Sequence, residues 1–158
     1  MVGGEGGLVY TSTMKAKITK VIPEVALPQH HTPESAGFDI AAGEDVVVES
    51  GQVKMIRTGL VIEAPAGHFL LLTCRSSLAS KKGLHLANGV GTIDRDYSGP
   101  EDEIKIIVHN FTNAPVKVEK GERLVQGIFL PVQQIEWEEV AQVRAESRGG
   151  IGSTGGYV

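Results

Sequence analysis

The stretch His68-Phe69-Leu70-Leu71-Leu72-Thr73-Cys74 carries the strongest structural signal in the chain. It is a nearly continuous apolar run of strand length, and the turn residues Ala64-Pro65-Ala66-Gly67 stand directly before it. Such a run, bounded by a turn, is typical of a buried strand. A cation and two hydroxyl groups follow at once, in Arg75-Ser76-Ser77. The sequence therefore predicts a buried strand that ends in polar side chains.

Segments with strand character lie on both sides of this run, and glycine and proline separate them at intervals of about 8–12 residues. Only Ser77–Lys82 resembles a short helix. This pattern is typical of a single all-β domain built as a sandwich or a barrel. The predicted strands are Lys17–Ile22, Asp45–Glu49, Met55–Ile62, His68–Cys74, Ile104–Phe111, Val116–Val118 and Leu124–Pro131.

Glycine-rich segments at the two ends of the chain contain no periodic pattern that could build a core. We expect a disordered leader over residues 1–14, a β-domain over residues 15–142 and a flexible C-terminal arm over residues 143–158. Trp137, near the end of the β-domain, is expected in the core, and the alternative is a position in an interface.

Composition and charge exclude several classes of protein. The chain has 158 residues, of which 41% are hydrophobic and 22% charged, so it can bury one core and is too apolar to be wholly disordered. Its formal net charge of −4 disfavours a nucleic-acid polymer as a partner. Positive charge that binds an anionic ligand must therefore be concentrated locally.

Cysteine usage and hydropathy predict the compartment. Cys74 is the only cysteine, which excludes an intrachain disulfide and fits a reducing environment. No apolar run of about 18 residues is present, and the N-terminus lacks the basic start and apolar stretch of a signal peptide. We therefore expect a cytoplasmic protein that does not associate with a membrane.

Asp39 and Arg75 are the first two candidate site residues. Asp39 lies in an apolar stretch beside Gly37, and a buried carboxylate needs a partner such as an arginine or a hydrated metal. The alternative is a turn aspartate that caps its own backbone. Arg75, the two serines after it and the N–H groups of a helix start would together bind an anion. The alternative is a serine N-cap beside a surface arginine.

The segment from Asn88 to Gly99 is the richest in functional side chains. Its glycines would let backbone approach a ligand, and a hairpin-like strand pair would offer N–H and C=O groups to a base. The Asn88 amide can both donate and accept, and Asp94 can act as a general base on a water. Tyr97 offers a flat face to a sugar. The alternative is a polar turn with two aspartates and a core tyrosine.

Two later segments complete the set of candidates. Gln126 is an amide in an apolar run, where it needs a hydrogen-bond partner such as a phosphate; its neighbours are expected to form only a turn and a core strand. The segment from Arg148 to Gly156 combines an arginine with glycine, serine and threonine, so its backbone N–H groups could wrap phosphates. No lysine follows these glycines, which excludes a Walker A loop. The alternative is simply a flexible end.

In their order, these five segments resemble the five motifs of the homotrimeric dUTPase family. The resemblance runs from Ala36 to Gly155 and ends in Ile151-Gly152-Ser153-Thr154-Gly155. It implies a jelly-roll-like, distorted β-barrel and a homotrimer with sites at subunit boundaries. It also implies Mg²⁺-dependent hydrolysis of dUTP to dUMP and pyrophosphate, by attack of water on the α-phosphate.

The resemblance also implies roles for individual residues. Asp94 matches the carboxylate that activates water, Tyr97 the ring that packs on deoxyribose, and Asp39 the acid that reaches Mg²⁺ through water. The matches to uracil contacts are Asn88 and the backbone of Gly91, Thr92 and Ile93. The matches to phosphate or other substrate contacts are Arg75, Ser76, Ser77, Gln126 and Lys105. The matches in the arm that folds over a site are Arg148, Ile151, Gly152, Ser153 and Thr154.

Two other functions share this pattern in part. The dCTP deaminases resemble the chain around its serine-rich and Ile-Asp segments, but they carry a glutamate where Ile107 stands here. A non-catalytic, regulatory nucleotide-binding trimer would have the same fold. The presence of both Asp94 and Arg75 favours catalysis over binding alone.

The arm departs from the pattern of the family at Ile151, where the family usually has a phenylalanine that stacks over the base. Isoleucine can cover a ring but cannot stack on it as an aromatic side chain does. Replacing Ile151→Phe is therefore expected to give a modest gain in dUTP affinity or turnover, measured as KM and kcat under steady-state conditions. Unchanged values of both constants would contradict this expectation.

Overall fold

The computed structural model describes residues 14–150. Strands dominate that range, and its single helix has 5 residues, which confirms the prediction of an all-β fold. No helix of the described range is long and apolar enough to cross a membrane. The elements are β1 (Lys17–Lys20), β2 (Phe38–Ala41), β3 (Val46–Val48), β4 (Val53–Arg57), β5 (Leu60–Glu63), β6 (His68–Cys74), α1 (Leu78–Lys82), β7 (Leu84–Leu86), β8 (Gly91–Ile93), β9 (Lys105–Asn110), β10 (Val116–Val118) and β11 (Arg123–Pro131).

The strongest run in the sequence, β6, lies inside the largest sheet, whose strand order is β2-β11-β6-β8. It pairs with β11 along its whole length, from His68 opposite Pro131 to Cys74 opposite Val125. A second sheet has the order β4-β9-β7, and the pairs β1-β5 and β3-β10 complete the described strands. All of these pairings are antiparallel. This arrangement confirms the predicted jelly-roll-like fold.

One hydrophobic core joins the two larger sheets. Leu70 and Leu72 of β6 face it from one sheet, and Ile106 and Val108 of β9 face it from the other, all at 2% exposure or less. Burying a side chain of this size contributes about 1.5–3 kcal/mol. Because successive residues of a strand point to opposite faces, the outer face of each sheet remains open for a site.

The prediction of one strand over Met55–Ile62 is wrong. β4 ends at Arg57 and β5 begins at Leu60, because the chain turns at Gly59, whose φ is 73°. A side chain at this position would also collide with Ile22, since its Cβ would lie 2.8 Å from the Ile22 Cβ. The turn carries the chain from its pairing with β9 to its pairing with β1. Arg57, Thr58 and Gly59 interrupt the apolar pattern at this corner, so the sequence carries a turn signal that the prediction of a single strand did not use.

The expected hairpin after Asn88 is not formed either. Only one strand, β8, lies within the segment, and it pairs with β6, whereas the strands on either side of the segment, β7 and β9, pair with each other in the other sheet. The chain turns between β7 and β8 at Gly89, whose φ is 73°. The segment is therefore a corner between sheets, and β8 is an edge strand among the described elements.

Beyond β11, residues 132–150 form no strand or helix, and each of them is exposed. Trp137 is 90% exposed, so the expectation that it lies in the core is wrong. The reason is that the chain leaves the sheet after Pro131, and no element of the described range covers the indole. The division between β-domain and arm after residue 142 stays a prediction, and all but the last residue of the predicted leader lies outside the described range.

Asn110, at the end of β9, shows how the fold satisfies a buried polar group. Its side chain donates to Val48 O at 2.9 Å and to Ala114 O at 2.8 Å. Its carbonyl oxygen accepts from the Thr112 backbone N–H at 2.9 Å and from the Thr112 hydroxyl at 2.7 Å. One fully buried amide thereby closes the turn that leads from β9 to β10.

Replacing Asn110→Ala is expected to lower the free energy of unfolding by about 2–3 kcal/mol, because the Val48 carbonyl and the Thr112 backbone N–H lose their bonds to this amide. The matched control is Asn113→Ala, at an exposed position of the same turn, which should change stability by less than about 0.5 kcal/mol. Urea unfolding of both variants measures the difference. Equal effects of the two substitutions would contradict the role of the buried amide.

Candidate active site

A buried carboxylate, Asp39, organises one half of the candidate site. It lies on β2 with 8% of its surface exposed. Arg75 Nε lies 3.2 Å from its Oδ1, and Arg123 Nη1 lies 3.3 Å from its Oδ2. Asp39 therefore has the arginine partners that a buried carboxylate needs. The alternative, a turn aspartate capping its own backbone, does not apply to a strand residue.

Arg75 is held in position by the strand beside it. Its backbone N–H donates to Leu124 O at 3.2 Å, and its Nη1 donates to Arg123 O at 3.4 Å. The side chain is still 28% exposed, so part of the guanidinium faces open space. Two guanidinium groups beside one carboxylate leave about one net positive charge here, in a chain whose formal net charge is −4.

The two serines after Arg75 lie at the start of α1. Ser77 occupies the N-cap position, but its side chain makes no capping hydrogen bond, so the alternative of a serine cap does not hold for it. Ser76 is exposed. The Leu78 N–H donates to Arg75 O at 3.0 Å, so this donor is already used within the turn. At this turn an anion would therefore contact the hydroxyl groups of Ser76 and Ser77 rather than this N–H.

Gln126 lies in the same row of the sheet as Asp39. On β11 it is the register partner of Asp39 on one side and of Thr73 of β6 on the other. Directly opposite residues of antiparallel strands have Cβ atoms about 4.5–5.5 Å apart and point to one face. The structure therefore brings Asp39, Arg75 and Gln126 together on the outer face of the largest sheet, and the Gln126 amide is exposed there.

Two further residues belong to this cluster and are absent from the sequence-based set. Arg123 contacts Asp39, as described, and it was expected to belong only to a turn. His31 Nε2 lies 3.1 Å from Asp39 Oδ2 and also contacts Arg123 Nη1. His31 reaches Asp39 because the loop before β2 folds back on it, where the Asp39 N–H donates to Gln29 O at 3.3 Å. The contact depends on this fold-back, for which residue spacing carries no signal.

A cleft of about 460 Å³ opens beside the cluster. Its ionisable lining residues are Glu24, His31, Asp39, Lys120 and Arg123. Because cations and a histidine outnumber the two acids, an anionic group fits this cleft better than a cation does. We refer to Asp39, Arg75, Arg123 and Gln126 as the Asp39 cluster.

The other half of the candidate site lies around β8. Asn88 is exposed at the corner before this strand, and within residues 14–150 the edge of β8 that faces away from β6 pairs with no other strand. Gly91 is buried, and a Cβ there would lie 3.1 Å from the Leu72 Cβ, so this glycine is explained by packing. Ile93 packs against the core, whereas Thr92 is exposed. What β8 offers to a ligand is therefore mainly backbone.

Asp94 and Tyr97 are held together by a turn directly after β8. The Tyr97 backbone N–H donates to Asp94 O at 3.2 Å, and the Asp94 side chain is exposed. The Tyr97 ring is 41% exposed, and its hydroxyl donates to Glu103 O at 3.5 Å. Tyr97 is therefore not a core tyrosine, and its ring is open to a ligand. A second cleft, of about 590 Å³, is lined by Thr92 and Asp94 among others.

An ion-pair cluster on β5 anchors this turn. Arg95, the residue after Asp94, pairs with Glu63, whose second carboxylate oxygen accepts from Lys17 Nζ at 2.9 Å. The hydrogen bond from Lys17, together with the positive charges of Lys17 and Arg95, lowers the pKa of the Glu63 carboxyl below its ordinary value of 4.5. The anchor therefore acts mainly while Glu63 is ionised.

The two halves of the site lie far apart within one chain. Ile93 is opposite Leu70 of β6, whereas Asp39 lies in the row of Thr73, on the far side of the sheet. Three residues along the strands and three strand spacings across them separate the Ile93 and Asp39 backbones by roughly 17 Å. A side chain does not bridge such a gap, so one chain cannot bring Asp94 to the Asp39 cluster.

The remaining predicted site residues lie elsewhere or outside the described range. Lys105 is exposed on β9 of the second sheet, opposite Arg57. Arg148 is exposed in the segment that follows β11. The roles of four arm residues stay predictions, because these residues lie outside the described range: Ile151, Gly152, Ser153 and Thr154.

The side chains of the site fit a metal ion only through bridging water or substrate phosphates. Within residues 14–150, no three histidine, cysteine, aspartate or glutamate side chains form a cluster that could hold a metal. Both oxygens of Asp39 already face positive groups or His31. Mg²⁺ usually keeps several waters and binds substrate phosphates with few carboxylates. The arrangement is compatible with that mode, in which Asp39 acts through water.

Glu63→Gln is expected to lower the stability of the protein at about pH 7 but not at about pH 3. A carboxyl group whose folded pKa is lowered contributes stability above its ordinary pKa of 4.5, and this contribution is lost as the pH falls through the folded pKa. The measurement is the difference in urea midpoint between wild type and variant at each pH. The exposed Glu34→Gln serves as the matched control and should show no difference from wild type at either pH. A difference for Glu63→Gln that is the same at both pH values would contradict the ion-pair explanation.

Comparison with known proteins gives matches over most of the chain. The chain matches the family model for dUTPase over residues 23–155. A deoxyuridine 5'-triphosphate nucleotidohydrolase of Nautilia profundicola is 42% identical over 144 residues, which cover 90% of this chain and 99% of that protein. The protein of the same name from Lactococcus lactis is 44% identical over 134 residues, which cover 83% of this chain and 89% of the relative.

Solved structures show the same fold. A dUTPase from Streptococcus mutans superposes with a TM-score of 0.71 at 34% identity, over 76% of this chain and 98% of that chain. The dUTPase of Staphylococcus bacteriophage 80alpha with dUPNHPP superposes with a TM-score of 0.80 at 25% identity, over 90% of this chain and 99% of that chain. The family match and these identities identify the chain as a member of the dUTPase family.

Proposed function

We propose that the chain hydrolyses dUTP to dUMP and pyrophosphate, in sites that form between the copies of a homotrimer. The observation that carries the proposal is the Asp39 cluster, which concentrates two guanidinium groups and an exposed amide at one point of an acidic chain. A nucleoside triphosphate is the kind of ligand whose charge such a cluster would balance.

The Asp39 cluster is the phosphate half of the proposed site. Arg75, with its exposed guanidinium edge, donates to phosphate oxygens in a planar fork, and the Gln126 amide adds a further donor. Ser76 and Ser77 supply hydroxyl groups at the same strand end. Asp39 holds the arginine in place and itself touches no phosphate, because a carboxylate would repel it.

The corner after β7 is the nucleoside half of the proposed site. The free edge of β8 offers backbone N–H and C=O groups to the uracil edge, and the Asn88 amide donates and accepts beside them. The exposed ring of Tyr97 packs against the deoxyribose. A base with a different pattern of donors and acceptors would leave polar groups of this edge unpaired.

Asp94 is the general base of the proposed reaction. It accepts a proton from a water molecule, whose oxygen forms a bond to the α-phosphorus in line with the leaving group. The bond from that phosphorus to the oxygen that bridges to the β-phosphate breaks, and pyrophosphate leaves with the electron pair. The anchor of Arg95 on Glu63 keeps the Asp94 turn in position.

Mg²⁺ would enter with the nucleotide and be held mainly by its phosphates. When bound, it neutralises charge on the phosphate oxygens and orients them. Asp39 would contact it through water, while Arg75 and Gln126 bind the phosphates directly. The arm residues Arg148 and Ile151–Thr154 would then cover the nucleotide and exclude water.

The separation of the two halves supports an assembly in which copies of the chain share their sites. Because the Ile93 and Asp39 backbones are roughly 17 Å apart in one chain, the proposal has Asp94 meet the Asp39 cluster of another copy. In a closed, symmetric assembly every copy contributes one phosphate half and one nucleoside half. Each contact between two copies then completes one site.

The purified protein, incubated with Mg²⁺ and separately with dUTP, dCTP, dTTP and UTP, is expected to convert only dUTP, to dUMP and pyrophosphate resolved by chromatography. Asp94→Asn should lower kcat by about 10²–10⁴ with a small change in dUTP binding, because the base is lost while the binding groups remain. Glu101→Gln makes the same chemical change in the exposed loop before β9 and should retain wild-type rates.

Three outcomes would overturn the proposal. Conversion of dCTP to a uracil nucleotide would point to a deaminase. Nucleotide binding without turnover would point to a binding trimer. Equal rates for Asp94→Asn and wild type would remove Asp94 from the reaction.

A further inference from the structure

His31 lies at the phosphate half of the site, and the reaction described above leaves it without a role. Its Nε2 atom lies 3.1 Å from Asp39 Oδ2, and 59% of its side chain is exposed beside the cleft of about 460 Å³. Asp39 itself is buried, and its two oxygens face His31, Arg75 and Arg123. What His31 contributes depends on how its contact with Asp39 differs from the two arginine contacts.

The contact of His31 with Asp39 is a hydrogen bond, whereas the two arginine contacts are ion pairs. An ion pair attracts over a range of positions, but a hydrogen bond is directional and weakens steeply as it bends. Arg75 Nε at 3.2 Å and Arg123 Nη1 at 3.3 Å therefore neutralise the carboxylate but restrict its rotation less. His31 is the partner that fixes the plane of the carboxyl group.

The partners of His31 Nε2 determine the direction of this hydrogen bond. An ionised carboxylate can only accept, so Nε2 carries a proton and donates it to Asp39 Oδ2. Arg123 Nη1 also contacts this nitrogen, but a guanidinium group can only donate, so that contact adds no hydrogen bond. The neutral ring with its proton on Nε2 and the charged ring can both make the bond to Asp39. The role therefore requires no charge on His31.

The loop that carries His31 is held on both sides of the imidazole. The ring of His30 lies edge-on to Phe38, with 5.7 Å between the ring centroids. Phe38 and Asp39 are successive residues of β2 and point to opposite faces, and the two histidines contact one each. On the other side, a backbone hydrogen bond of 3.1 Å closes the turn over residues 32–35. The direction of His31 is therefore set by its neighbours in the loop.

The position of Arg75 depends in turn on the orientation of Asp39. Arg75 Nε lies beside Asp39 Oδ1, and its Nη1 donates to Arg123 O at 3.4 Å, which is long for a hydrogen bond. The carboxylate is therefore the stronger of these two contacts. Rotation of the carboxyl group would move Oδ1 and, with it, the donor fork that the proposed function assigns to the phosphates.

We propose that His31 is a positioning residue for dUTP hydrolysis, which holds the Asp39 carboxylate so that Arg75 stays aligned with the phosphates. This inference rests on the proposed function. His31 acts through Asp39 and does not contact the nucleotide, so its hydrogen bond matters and its charge does not. Because the general base Asp94 lies in the other half of the site, loss of His31 weakens phosphate binding and leaves the chemical step nearly unchanged.

The test is steady-state kinetics of dUTP hydrolysis with Mg²⁺ at one fixed pH. His31→Ala is expected to raise KM about tenfold and to change kcat by less than about threefold, because phosphate contacts made equally in the ground state and the transition state are weakened. His31→Gln should keep KM within about threefold of wild type, since its amide nitrogen reaches about as far as Nε2 and can donate to Asp39. His31→Asn, whose amide nitrogen reaches only about as far as Nδ1, should behave like His31→Ala.

The matched control is Glu34→Ala, which removes an exposed side chain from the same loop and should leave both constants at wild-type values. Every variant should retain the thermal unfolding transition of wild type, because the His31 side chain is mostly exposed.

Wild-type constants for His31→Ala overturn the positioning role. Equal KM values for His31→Gln and His31→Asn overturn it as well, because the position of the donor would then make no difference. A wild type that does not hydrolyse dUTP overturns the proposed function and this inference with it. Turnover by wild type with all His31 variants unaffected overturns the inference alone.

Discussion

The burial of one carboxylate, Asp39, is the constraint on which the rest of the site depends. An ionised carboxylate taken out of water is strongly unfavourable unless charged or hydrogen-bonding partners surround it. Here Arg75, Arg123 and His31 supply those partners, each from a different part of the chain. The contacts that stabilise the ionised Asp39 carboxylate in the sheet also hold two guanidinium groups in position. Anion binding is therefore organised before any ligand arrives, which lowers the entropy lost on binding.

Regular sheet geometry explains why this organised charge is only half of a site. Strand spacing and rise per residue separate the Asp39 row from the end of β8 by roughly 17 Å, and side-chain rotation does not remove that distance. The half that carries Asp94 has its own anchor, in which Arg95 binds Glu63 on β5. Each half thus has its own anchoring contacts, and catalysis in this arrangement depends on how accurately two copies meet. The precision that a single-chain enzyme obtains from its core would here come from an interface.

The sequence was sufficient for the features that arise from local pattern and from elementary electrostatics. The continuous apolar run of β6 and the need of Asp39 for an arginine were both predicted, because each depends on residue type alone. The break at Gly59 and the corner between β7 and β8 were missed although a glycine stands at each turn, because only strand pairing shows that the chain changes its partner strand there. The contact between His31 and Asp39 was also missed, because it arises from a fold-back of the loop before β2. Trp137 was predicted to be buried because its side chain is apolar. It is exposed because the chain has already left the sheet at that point.

The distribution of charge links the site to assembly. A chain with a formal net charge of −4 repels its own copies weakly at long range, so association needs a surface where short-range apolar contact outweighs that repulsion.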